Sequence, residues 1–179
     1  MTQNDSSKTA TYPAPDALKT PTDLRADGVQ KIVEAINPII ADAYAVYLKT
    51  KNFHWHLSGS HFRDYHLLFD EQAEQLLGST DPLAERVRKL GGTTLRSVSH
   101  ISGLQTVQDN NADFVTPLDM LRELMADNQS IAASMRAAHE TCDDARDYAT
   151  SSLLEVLIDE TERRIWFLFE AAQGGENTK

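Results

Sequence analysis

Apolar side chains recur three and four positions apart along several long segments of this chain, and that period leaves little choice of fold. The clearest run is Val29, Ile32, Val33, Ile36, Ile39, Ile40, Ala43, Val46 and Tyr47. Only an α-helix gathers such a spacing onto one continuous face. A first helix is expected to start between Thr22 and Gly28 and to end at Leu57, with Pro38 kinking it. Ser58-Gly59-Ser60 breaks the chain, Ser60 offers a capping hydroxyl, and a second helix should run from His61 to Leu90, stopped by Gly91-Gly92. Thr116-Pro117-Leu118-Asp119 combines a capping hydroxyl, a first-turn proline and an early acid, which marks a third helix ending near Cys142. The fourth carries Leu154, Leu157, Ile158, Ile165, Leu168 and Phe169. One short helix is expected near Val98 to Leu104, and no stretch carries the alternation or turn chemistry of strands.

Four long helices in two pairs, with the longer connection in the middle, predict an all-α four-helix bundle over residues 23–173. Residues 1–22, with Pro13, Pro15 and Pro21 among Thr, Ser and Asp, read as a flexible tail, and 174–179 as a short C-terminal one. A chain of 179 residues with 41% hydrophobic side chains can bury one real core. Its net charge of −10 argues against a protein whose main task is gripping phosphate. Cys142 is the only cysteine, which excludes a disulfide framework and a thiolate metal site and fits a reducing cytoplasm. No apolar run reaches the ~20 residues of a membrane span, and no secretion signal is visible.

The stretch "NFHWHLSGSHFRDYHLLFDE" holds four of the six histidines. On the second helix His66 and Asp70 are four apart, as are Asp81 and Glu85, so each pair shares a face. From Asp70 to Asp81 the helix turns roughly 1100°, which puts both pairs on nearly the same face, about 16 Å apart along the axis. One metal centre cannot use both pairs from one chain. An antiparallel copy of the helix removes the difficulty: His66 and Asp70 of one subunit then meet Asp81 and Glu85 of the other. His54, near the end of the first helix, can complete the histidine half. Mixed imidazole and carboxylate donors suit Fe(II), Mn(II) or Zn(II). A lone histidine here would read as a surface or structural residue; the matched set is what points to metal. The Glu-x-x-His of di-iron sites built inside one bundle is absent from the sequence.

The runs "YLKTKNFHWHLSGSHFRDYHLLFDEQAEQL", "TDPLAERVRKLGGTTL" and "ERRIWFLFEA" resemble the Dps family, the DNA-protection-during-starvation proteins or dodecameric mini-ferritins, over residues 28–172. The resemblance implies a ferritin-like bundle and a ferroxidase centre of His54, His66 and Asp70 with Asp81 and Glu85 from the two-fold partner. It places Trp55 beside the iron. It further implies oxidation of Fe(II), preferably by hydrogen peroxide, with ferric mineral stored in a shell of twelve subunits. Zn(II) or Mn(II) are alternative occupants of the same site.

Other features carry blander expectations. His56 and His61 suit solvated or helix-end positions. Pro82, just after Asp81, should bend the second helix, either to wrap the bundle or to aim Asp81. Asp143, Asp144 and Asp147 suit a solvated acidic turn or an iron-entry pore. Trp166, Phe167 and Phe169 suit the core or a subunit interface. Residues 1–27 hold Lys8, Lys19 and Arg25 against four aspartates, so DNA binding should be weak or absent, although a non-enzymatic DNA-condensing shell is the alternative function.

Overall fold

A computed structural model describes residues 15–173; the flanking segments, to which most of the expected N-terminal tail and the C-terminal tail belong, lie outside the described residues. A 3-10 turn, Asp16–Leu18, precedes five helices: α1 (Ala26–His56), α2 (Phe62–Lys89), α3 (Val98–Leu104), α4 (Pro117–Asp144) and α5 (Tyr148–Gln173). No strand occurs among the described residues. Helices α1 and α2 pair, α4 and α5 pair, and the pairs meet through α1 on α4 and α2 on α5, with α3 packed on α1.

The α1 stripe enters the core as its spacing demands, with Ile32, Ile36, Ile39, Ile40 and Val46 fully buried. Pro38 lies inside α1 without ending it. Thr116 caps α4 by accepting the Asp119 amide at 3.2 Å. Just past the end of the second helix stands Gly91, φ +82, where the Gly92 amide reaches the Val87 carbonyl at 3.0 Å and the Gly91 amide the Arg88 carbonyl at 3.0 Å. That left-handed closure suits glycine, which has no Cβ to clash.

Two expectations need correction, the cap of α2 and the place of Phe169 in the α5 stripe. The cap of α2 is His61, not Ser60, and it has no side-chain cap bond; the helix is entered through a turn in which the Phe62 amide donates to the Gly59 carbonyl at 3.1 Å. Within residues 15–22 the Thr20 hydroxyl donates to the Arg88 carbonyl at 2.8 Å, and the Arg88 guanidinium donates to the Leu18 carbonyl at 2.9 Å. On α5 the inward positions between Leu157 and Leu168 are Thr161 and Arg164, while Trp166 (60% exposed), Phe167 and Phe169 face outward. Arg164 is accommodated because Asn128 accepts from its Nε at 2.9 Å and Thr161 from its NH2 at 2.7 Å; burial pushes its pKa down to about 10. Of the expected stripe Leu154, Leu157 and Leu168 are buried and Ile158 and Ile165 partly so, while Phe169 is exposed because α5 carries more large apolar residues than its inner face takes.

The acidic turn is divided. Asp147 is buried, accepts from Arg86 at 2.6 Å and caps the start of α5 through the Thr150 amide at 3.1 Å. Asp143 and Asp144 are exposed, and Asp143 accepts from Ser151 at 2.9 Å. Cys142 is fully buried, and desolvation, with Asp147 and Asp143 adding to it, pushes its thiol pKa up to about 12.

Candidate metal centre

Five ligand candidates and Trp55 fall into two groups. His54 ends α1 on its buried side, and His66 and Asp70 lie one turn apart near the start of α2. The short connection between the helices brings the histidines face to face, their rings stacked with centroids 3.7 Å apart and planes 21° from parallel. Phe62 stacks on the other side of His66 at 5.0 Å.

Each histidine is strapped to the other's backbone. His54 Nδ1 lies 2.8 Å from the His66 carbonyl, and His66 Nδ1 lies 3.1 Å from the His54 carbonyl. A carbonyl only accepts, so both Nδ1 atoms carry the proton and donate. The His54 carbonyl is one of the last four of α1, which have no partner within the helix, so one strap also closes a helix end. Nε2 is then the nitrogen of each ring not spent on a backbone carbonyl. This is the support by which proteins fix a ligating imidazole's tautomer and orientation.

Asp70 completes the group, with Oδ1 3.9 Å from His54 Nε2. The same oxygen accepts from Lys51 Nζ at 2.6 Å. That hydrogen bond holds the Asp70 carboxyl below the usual carboxylate range, opposed by desolvation and aided by the Lys51 charge and more weakly by His54 and His66. Lys51 lies outside the residues expected from the sequence. Its position three before His54, on the same face of α1, is the signal that marks it.

Asp81 and Glu85 lie on the same helix but elsewhere along it. Both are exposed, and Glu85 pairs with Lys89 at 3.1 Å. Pro82 lies inside α2 and withholds the amide that would bond the Gly78 carbonyl. The Ser79 and Thr80 hydroxyls back-bond to the Leu76 and Leu77 carbonyls, each at 2.7 Å, in the turn before it. Trp55 is 59% exposed, next to His54 in sequence. His56 donates from Nδ1 to the Asn52 carbonyl at 2.9 Å, and His61 packs against Tyr65, both at the helix ends expected for them. Among the described residues no three His, Cys, Asp or Glu side chains of the one chain converge to hold a metal ion. What one chain assembles is two oriented imidazoles and a carboxylate held by an ammonium.

Comparison with known proteins sets this geometry in a family. The ferritin-like domain family matches residues 33–174. A DNA protection during starvation protein of Halobacterium salinarum is 32% identical over 147 residues, 82% of this chain and 79% of that protein. One from Agrobacterium fabrum is 30% identical over 150 residues, 84% of this chain and 93% of that protein. Among solved structures, an archaeal Dps homologue from Halobacterium salinarum superposes with a TM-score of 0.82 at 29% identity, covering 99% of this chain and 95% of that one. Dps from Thermosynechococcus elongatus gives 0.78 at 29% identity, covering 80% and 91%. With the ferritin-like match spanning most of its length and Dps proteins as relatives in both sequence and fold, this chain belongs to the Dps family of ferritin-like proteins.

Proposed function

We propose that the protein is an iron-storing, DNA-protecting mini-ferritin that oxidises Fe(II), preferentially with hydrogen peroxide, at centres shared between two-fold related subunits of a hollow dodecamer in the cytoplasm. The observation that carries this reading is the reciprocal strapping of His54 and His66, which spends both Nδ1 atoms on backbone carbonyls and leaves two Nε2 donors, that of His54 lying 3.9 Å from Asp70 Oδ1. A Dps from Vibrio cholerae, 25% identical, is described as a member of a broad superfamily of ferritin-like diiron-carboxylate proteins, which supports iron as the substrate.

The outward stripe of α2 supports the sharing. His66, Asp70, Glu74, Leu77, Asp81 and Glu85 follow one another three or four residues apart. His66 with Glu85, Asp70 with Asp81, and Glu74 with Leu77 are each symmetric about the bond joining Gln75 and Leu76. An antiparallel copy crossing there brings all three pairs opposite one another at once. Near that crossing Gly78 has open space where a side chain would stand, and Leu77 is exposed. Leu48 on α1, Leu67 on α2 and Val98 on α3 are exposed apolar groups that a second copy can cover.

In this centre the imidazoles and Asp70 hold Fe(II) from one side, and the partner copy's equivalents of Asp81 and Glu85 hold it from the other, with Zn(II) or Mn(II) as competing occupants. Two Fe(II) ions each give one electron to one peroxide; its O–O bond breaks, two protons are taken up and two waters leave, so no hydroxyl radical is released. Carboxylate charge favours the ferric product, and exposed Trp55 is placed to accept a stray oxidising equivalent. At −10 per chain the shell repels DNA, so protection proceeds through iron chemistry and DNA contact is weak or absent. The test is anaerobic Fe(II) loading followed by a stoichiometric pulse of peroxide or of oxygen, read by ferric absorbance. Fast, peroxide-preferring oxidation that is lost in His66→Ala/Asp70→Ala supports the reading. Equal rates in both proteins would move a DNA-condensing shell to the front.

A further inference from the structure

Lys51 Nζ sits 2.6 Å from Asp70 Oδ1, on the oxygen that lies nearest His54 Nε2. It is not a loose surface pair. The Lys51 side chain is only 20% exposed, against 60% for Lys89 on Glu85. A divalent cation bound between His54 Nε2 and that oxygen would compete with the ammonium for it, and the two positive charges would repel each other at close range.

Two-fold packing as proposed above, on which this inference rests, crowds Asp70 against two further carboxylates before any metal arrives. Such a cluster, partly removed from water, is unfavourable unless a positive charge lies within it. The geometry points to Lys51 as a positioning residue of the metal centre: its ammonium stands in for a cation at Asp70 in the metal-free assembly, and an entering divalent metal competes with it for that carboxylate. The ammonium lets the carboxylates be brought together without metal. It also lowers the affinity for every divalent ion by the strength of one partly exposed ion pair. The lysine's four-carbon stem lets the displaced head swing away to solvent without moving α1.

The experiment titrates the assembled protein with Co(II) alone, followed by its visible absorption, in wild type, Lys51→Gln, Lys51→Arg and Asp81→Ala. Lys51→Gln should bind Co(II) about three- to tenfold more tightly, the worth of one partly exposed pair, while Lys51→Arg stays near wild type. Melting is followed with and without Co(II). Lys51→Gln should lose stability chiefly in the metal-free form, and metal should restore it. Should Lys51→Gln fail to assemble without metal, assembly on adding Co(II) supports the proposal, and failure to assemble even then overturns it. Unchanged or weaker Co(II) binding in an assembled Lys51→Gln protein also overturns it, as does an equal stability loss with and without metal. Asp81→Ala separates the two ideas. Weakened binding there with no change in Lys51→Gln refutes only the role of Lys51, whereas unchanged binding in Asp81→Ala refutes the shared centre itself.

Discussion

At the N-terminal end of α2, His66 and Asp70 are tied into the chain: one ring is strapped to α1 and the carboxylate is held by Lys51. Toward its C-terminal end Asp81 and Glu85 stand exposed, their surroundings marked by Pro82 rather than by contacts to another helix. The contrast follows from the chemistry of the donors. An imidazole ligates through one nitrogen along one direction, and only in the right tautomer, so it needs a second element to orient it. A carboxylate offers two oxygens and several lone pairs, so correct placement along a helix is nearly enough. One half of the proposed centre is therefore preorganised within a chain, and the other is a pair of groups for delivery to a neighbour.

The sharpest way to break the comparison is to delete one residue from each half. His66→Ala should lower peroxide-driven Fe(II) oxidation at least about a hundredfold, as should Asp81→Ala. Their stabilities should differ. His66→Ala loses a hydrogen bond and a ring contact that join α1 to α2, with the Phe62 contact inside α2, and should cost about 1–2 kcal/mol, whereas Asp81→Ala should stay within about 0.5 kcal/mol in a metal-free melt. Equal destabilisation would mean that the acidic half is structural too.

Complementation comes next. Mixing His66→Ala chains with Asp81→Ala chains leaves one intact centre in each mixed dimer, so random exchange should return about a quarter of wild-type activity. No return despite mixing verified by mass spectrometry would exclude the shared centre. A smaller effect is expected from Pro82→Ala, which restores a helical hydrogen bond and should stabilise by about 1 kcal/mol. If the proline aims Asp81, oxidation falls several-fold in that variant; an unchanged rate assigns the proline to bundle shape alone.

The smallest effect is on acid stability. The Asp70 pKa is depressed in the folded chain, first by the Lys51 hydrogen bond, so its stabilisation is present above the unfolded carboxylate value of about 3.9 and is lost as the pH falls through the folded value. Asp70→Asn should remove that part of the dependence. Acid unfolding curves of the two proteins should therefore separate above about pH 4 and converge below it. Curves that keep a constant separation would mean that Lys51 contributes nothing through Asp70.

Much of the bundle was legible because its information is local. The spacing of Ile32, Ile36, Ile39 and Ile40 determines which face of α1 is buried, and Thr116-Pro117 sets where α4 begins. The apolar stripe read on α5 missed the inward Arg164, because Arg164 and Asn128 satisfy each other across α5 and α4 and no period of one helix records that agreement. The cap of α2, expected at Ser60, was misassigned for a related reason. A serine can cap, but the Gly59–Phe62 turn already supplies the backbone bond that begins the helix.

The sequence by itself determined the helices, the common stripe of His66, Asp70, Asp81 and Glu85, and the separation that keeps one chain from closing a metal centre, because helical rise and rotation are properties of consecutive residues. Only the tertiary structure decided that His54 and His66 strap each other's backbones, that Lys51 rather than solvent meets Asp70, and that Asp147 is a buried cap and not a free acid. Those contacts join different helices, and their geometry depends on how the short turn after α1 and the packing of α2 against α5 set one helix against another, which no local pattern encodes.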